Sequence, residues 1–205
     1  MKPALRSFSL HPERSFLVRK DIGAPVYSMW HQHVEIELFF IRGGQGGMMI
    51  GDKEIPIDGS SQMIILGSNL PHTMSYGNQT NGHVVEAVVV HVNPSVWGAF
   101  YELPEMTPIR NLFKMAERGI YIQDGLLQQM EQEMFALIDD DPPQSMIRLL
   151  QLLLNIATSQ KYDYVASQGY ASTHSREMDN SRMSKIYNYV LENYHRDISV
   201  QGVAD

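Results

Sequence analysis

The rhythm of apolar and polar positions changes once along the chain. From Ser15 to Val92 the apolar residues come in short runs, Phe16-Leu17-Val18, Tyr27 to His33, Glu35 to Arg42, Met48-Met49-Ile50, Glu54 to Ile57, Met63 to Leu66 and Val84 to Val92. Alternation with a period of two puts successive side chains on opposite faces of a strand, and many short strands at regular spacing predict an all-β sandwich or barrel. Turn residues separate the runs at Gly51-Asp52-Lys53 and Asp58-Gly59. The clearest case is Gly43-Gly44-Gln45-Gly46-Gly47, where freedom in φ predicts a hairpin reversal. That run is not a phosphate loop, because it lacks the Lys-Ser/Thr pair and leads into a strand rather than a helix.

Beyond Pro94 the spacing becomes helical. Thr107 as N-cap and Pro108 as first residue predict a helix over Ile109 to Arg118, stopped by Gly119. Leu127, Met130, Met134, Leu137 and Ile138 predict a second helix from about Asp124 to Ile138, and Asp139-Asp140-Asp141-Pro142-Pro143 ends it. A third, from Gln144 to Gln160, is apolar at Met146, Ile147, Leu149, Leu150, Leu152, Leu153, Leu154 and Ile156. That is wider than one stripe, so the helix has to be covered on more than one side. A barrel covers one side. A partner helix or a second copy covers the rest, and the expectation is a homodimer through residues 123–160. Lys161 to Asn180 is polar, small and unpatterned, which predicts a linker containing a solvated His174. Amphipathic spacing resumes from Arg182 to Tyr194, and Ser199 is placed to cap one more helix.

Composition narrows the function classes. The 205 residues, 43% apolar, are enough for a real core. A net charge of −7 offers phosphate backbones no basic surface overall. The absence of cysteine excludes disulfides, thiolate nucleophiles and thiolate metal ligands. No apolar run approaches the ~18 residues of a membrane helix and none near the N-terminus has signal-peptide length, so a cytoplasmic protein without a membrane partner is expected.

The chemistry concentrates in Trp30 to Gly44, WHQHVEIELFFIRGG. On a strand, His31, His33, Glu35 and Glu37 share one face. That alternation also describes a strand with one wet face and no further meaning. Imidazole and carboxylate are, however, the ligands of zinc, iron, nickel and manganese, so His-x-His with Glu37 reads as a three-ligand cluster. Four residues of straight strand span roughly 13 Å, so one ion requires a bend between His33 and Glu37. In Gly59 to Met74, a turn at Gly67-Ser68-Asn69-Leu70-Pro71 delivers His72 to the same cluster. His91, Glu86, Trp30 and Phe39 are weaker candidates: His91 and Glu86 lie on the apolar strand Val84 to Val92, and the aromatics could line a lumen or simply pack.

Together these segments resemble the two motifs of the cupin family. His31-x-His33-x3-Glu37-x6-Gly44 has the spacing of the first motif; Gly59 with Pro71-His72 resembles the second, with a longer interval and no following Asn. The tail SRMSKIYNYVLENYHRDISVQGVAD resembles the opening of the DNA-binding domain of AraC-type transcription regulators, and the barrel and paired helices resemble the sensor and dimerisation parts of the same family. The resemblance implies a mainly β fold. A cupin-like double-sheet β-barrel (1–105) would be followed by an α-helical hairpin for dimerisation (106–160), a linker (161–181) and the start of a helix-turn-helix domain (182–205).

It implies a sensor, not an enzyme. The barrel would bind a small-molecule effector, commonly a sugar or other metabolite, with His31, His33, Glu37, His72, His91 and Trp30 as contacts and a divalent transition metal (Zn, Ni, Fe or Mn) at His31, His33, Glu37 and His72. DNA would be a partner of the full-length regulator but not of this chain, which stops before the recognition helices. Two readings compete: a metal-dependent cupin isomerase or dioxygenase using the same four residues, and a metal-free sugar-binding barrel whose histidines donate hydrogen bonds.

Overall fold

The computed structural model describes residues 3–6, 8, 13–23, 25–78 and 84–173. The end of the expected linker, with His174, and the start of the helix-turn-helix domain at 182–205 lie outside the described residues. Ten strands come first: β1 (Ala4–Leu5), β2 (Phe16–Ile22), β3 (Val26–Tyr27), β4 (His31–Gln32), β5 (Ile36–Arg42), β6 (Gly44–Ile50), β7 (Lys53–Ile57), β8 (Gln62–Leu66), β9 (His72–Asn78) and β10 (Glu86–Val92). They are followed by α1 (Thr107–Met115), β11 (Ile120–Ile122), α2 (Asp124–Asp139), α3 (Pro142–Ser159), β12 (Tyr162–Tyr164) and α4 (Gln168–Thr173).

The strands form two six-stranded sheets. One has the order β1-β4-β9-β6-β7 with β3 also on β9, and the other runs β12-β11-β8-β5-β10-β2. Only β1, beside β4, is parallel to its neighbour among the described pairings. The result is a cupin-like double-sheet barrel with helices on one side.

Strand β5 shows why. Its run Ile-Glu-Leu-Phe-Phe-Ile is buried on both faces. Phe39 and Ile41 point between the sheets, where Met48, Ile50, Ile64, Met74, Tyr76 and Val89 fill the interior. Ile36, Leu38 and Phe40 point outward with Met63, Ile65, Val88 and Val90, and α1, α2 and α3 cover them through Leu112, Phe113, Met130, Met134, Leu149 and Leu153. A two-faced apolar strand is stable only in the middle of a three-layer stack.

Several expectations need correction. The barrel is not confined to residues 15–92, because β1 precedes that span and β11 and β12, which follow it, extend the second sheet. The glycine run is not a hairpin loop. β5 and β6 lie in different sheets, so Gly43 (φ 72°) turns the chain at a barrel corner and the remaining glycines belong to β6. Thr107 is not an N-cap, since a 3-10 turn at Pro104–Met106 feeds directly into α1 and the Thr107 hydroxyl accepts a hydrogen bond from Arg110. The first part of the expected linker is folded: β12 pairs with β11, Val165 and Ala166 are buried, and Arg118 donates to the Ala166 carbonyl. No helix among the described residues is long and apolar enough to cross a membrane.

Candidate metal centre

The two sheets each contribute one cross-strand pair to a common interior point. His31 in β4 lies opposite His72 in β9, and Glu37 in β5 lies opposite His91 in β10. His33 joins them from the bend at Val34 and Glu35, where the chain leaves the first sheet and enters the second. The bend demanded by the spacing is therefore present, and it brings His33 Nε2 to 3.1 Å from Glu37 Oε2. None of the five side chains belongs to a residue more than 4% exposed.

Hydrogen bonds set the imidazole orientations. The backbone carbonyls of Met29, Glu35 and Leu70 accept from Nδ1 of His31, His33 and His72 at 2.7, 3.0 and 2.8 Å. A neutral ring that donates through Nδ1 carries its lone pair on Nε2. All three Nε2 lone pairs are thus left for something inside the cluster. At its centre Glu37 Oε2 stands 3.1 Å from Nε2 of His33, 3.1 Å from Nε2 of His91 and 3.6 Å from Nε2 of His72. Among the described residues, His72 Nε2 and Glu35 Oε2 are buried without a hydrogen-bond partner. Burial alone would raise the Glu37 carboxyl, but the His33, His72 and His91 imidazoles outweigh it and hold the group well below the ordinary carboxylate range. Burial, assisted by neighbouring His72, lowers the His31 imidazole to about 4.

This arrangement fits a cation. The lone pair of His33 Nε2 and the carboxylate oxygen of Glu37 would be two acceptors facing each other at 3.1 Å. Only a proton or a metal ion between them removes that conflict. The candidate ligand atoms of His31, His33 and His72 lie within 4.8 Å of one another, as do those of His33, Glu37 and His91, so His33 belongs to both sets. Nitrogen and carboxylate donors without sulfur suit zinc, iron, nickel or manganese.

The other sequence candidates fall elsewhere or add context. Trp30 is buried just ahead of β4, with its carbonyl accepting from the Ala4 N–H. Phe39 is a core residue whose ring centroid lies 5.8 Å from that of Tyr76. Glu86 is not a site residue; at the other end of β10 it pairs with Arg42 and with Lys20. Sequence reasoning missed Phe8, whose ring stacks on His91 at 3.7 Å between centroids and meets His33 edge-on at 5.2 Å. No periodicity marks Phe8. It also left Glu35 out of the cluster chemistry, although Glu35 is buried beside His33 with its Oε2 3.6 Å from His33 Nδ1.

No family model and no curated protein matches the sequence. Among solved structures, ToxT from Vibrio cholerae O395, bound to (E)-4-(8-methylnaphthalen-1-yl)but-3-enoic acid, aligns over 93% of this chain and 70% of its own at 12% identity and a TM-score of 0.45. A cupin 2 conserved barrel domain protein from Salinispora arenicola CNS-205 aligns over 46% of this chain and 78% of its own, at 18% identity and a TM-score of 0.35. A second such protein, from Rhodopseudomonas palustris, aligns over 42% and 57%, at 14% identity and a TM-score of 0.32.

Proposed function

We propose that this chain is the effector-sensing and dimerisation part of an AraC-type DNA-binding transcription regulator, with one divalent transition metal held in its barrel by His31, His33, Glu37 and His72. The observation that carries the metal is His33 Nε2 standing 3.1 Å from Glu37 Oε2 while Nδ1 of the same ring faces the Glu35 carbonyl at 3.0 Å. An ion held by these residues would supply the positive charge that the buried carboxylate and the imidazole nitrogens share, and would offer a site for an oxygen of a small metabolite. The Met29, Glu35 and Leu70 carbonyls fix the three rings by holding their Nδ1 protons. Phe8 stacks on the His91 ring at the edge of the cluster. The regulator reading rests on the resemblance of residues 181–205, which an isomerase or dioxygenase would not need, so the centre is taken as a sensor rather than a catalyst. Dimerisation is assigned to α3, whose Ile147 and Leu154 face outward at 61% and 37% exposure.

The test is elemental analysis of protein purified without chelator or immobilised nickel, with melting curves before and after metal removal. About one equivalent of transition metal per chain is expected. Chelation should lower the melting temperature and added zinc or nickel restore it, since an ion at 100 times its dissociation constant stabilises by about 2.7 kcal/mol. His31→Ala should abolish that response. Well under a tenth of an equivalent of any metal, with no shift on addition, would overturn the metal-centred reading.

A further inference from the structure

The four histidines of the cluster are not equivalent. Three of them, His31, His33 and His72, give their Nδ1 proton to a backbone carbonyl and turn Nε2 inward as a lone pair. His91 differs at Nδ1. Among the described residues its Nδ1 is buried with no hydrogen-bond partner, while its Nε2, like that of His33, lies 3.1 Å from Glu37 Oε2. A neutral His91 ring must place one proton. On Nδ1 the proton would be a buried donor with no acceptor, and Nε2 would turn a lone pair against a carboxylate. On Nε2 it makes a charge-assisted hydrogen bond to Glu37 and leaves only an unpaired acceptor on Nδ1. The second arrangement satisfies the stronger demand. The ring of Phe8 lies over His91 with an interplanar angle of 28° and adds no hydrogen-bonding group to it.

We propose that His91 is a positioning residue rather than a metal ligand: its Nε2–H holds the Glu37 carboxylate, and the two form a hydrogen-bonded dyad beside a ligand set whose imidazoles are His31, His33 and His72. This rests on the metal reading above for its role, but not for its existence. The dyad aims Oε2 at His33 and His72, 3.1 and 3.6 Å from their Nε2 atoms, so the carboxylate is already oriented toward the imidazoles that would share an ion with it. Its cross-strand register supports the assignment. Glu37 and His91 are direct neighbours within the second sheet, whereas His31 and His72 are direct neighbours in the first, so the two pairs approach the centre from opposite walls.

Two measurements decide the matter. The first is nitrogen-15 NMR of the imidazoles in the metal-free protein near neutral pH. His91 should carry its proton on Nε2, and His31 and His72 on Nδ1. A proton on His91 Nδ1 would overturn the dyad whether or not the protein binds metal. The second is nickel or cobalt affinity, by competition with a chelator, for two variants. His91→Gln keeps an N–H donor near the Nε2 position and should bind within a few-fold of the parent. His91→Leu, which has no donor, should bind about 10–100-fold more weakly, the usual effect of losing a group that orients a ligand. Equal loss in both variants, with a cobalt spectrum showing one imidazole fewer, would make His91 a ligand and sink the proposal. A parent protein that takes up no metal would fail the reading of the previous section, while the NMR result would still decide the dyad.

Discussion

Protonating His31 costs more in the folded chain than in the unfolded one, because burial lowers its imidazole from 6.5 to about 4. Between those values the unfolded chain takes up a proton that the folded chain refuses, so stability falls as pH drops through that window and is level above it. Glu37 acts in the same direction lower down. Its carboxyl lies well below 4.5, so the stability it contributes is present above that value and is lost as pH falls toward its folded pKa. For chelator-treated protein, we expect melting temperature to decline from about pH 6.5 toward pH 4, and His31→Asn to flatten that part of the curve. An unchanged slope in the variant would remove His31 as the cause. These effects were only partly legible in the sequence. The interval His31-x-His33-x3-Glu37 is local and carries a recognisable ligand pattern. Phe8, 83 positions from His91, leaves no trace that spacing could reveal, and the proton positions follow from the Met29, Glu35 and Leu70 carbonyls, which every sequence has.

Whole elements were legible where one periodicity ran long enough, as in β5, β10 and α2. What each element would touch was not. The glycine run shows the difference, since glycine signals freedom in φ but equally a place where a side chain cannot fit. A Cβ on Gly46 would stand 1.9 Å from the Ser75 carbonyl oxygen, whereas one on Gly47 would meet nothing nearer than 3.6 Å. Gly46→Ala should therefore force β6 from β9 and destabilise by about 1–3 kcal/mol or more, with Gly47→Ala close to neutral. Denaturant midpoints for the two variants test this, and equal midpoints would refute it. The segment 161–173 was illegible for another reason. Its strand β12 is only three residues long and is ordered by an edge that β11 offers, and short polar runs take their structure from such partners. In α3, too, the wide apolar surface calls for several neighbours, and α1 supplies one of them, packing on the same helix as α2. Leu149, Leu152, Leu153 and Ile156 are fully buried within one chain as a result.

Across the whole molecule, the helices are fastened to the barrel by charge as well as by apolar packing. Arg42 in β5 pairs with Glu86 in β10 and, at 2.6 Å, with Glu131 in α2, while its guanidinium lies 4.5 Å from the Phe135 ring centroid. The face of α3 that remains outward is where a second copy is expected. Sedimentation should show a dimer at micromolar concentration, and Ile147→Glu with Leu154→Glu should give a monomer whose melting temperature is little changed; a parent that stays monomeric at high micromolar concentration would dismiss the dimer. One small turn ties distant parts together. The Gly51 N–H donates to the Pro71 carbonyl, Ile50 is the register partner of His72, and Asp52 accepts from the Ser167 N–H just before α4. Tyr170 lies against Gly51, close enough that a Cβ there would stand 2.9 Å from its ring. His72 and α4 consequently share a single footing, like two beams resting on one bracket: a shift of the histidine by a few tenths of an ångström has to be absorbed in the Gly51-Asp52 turn or carried on into α4.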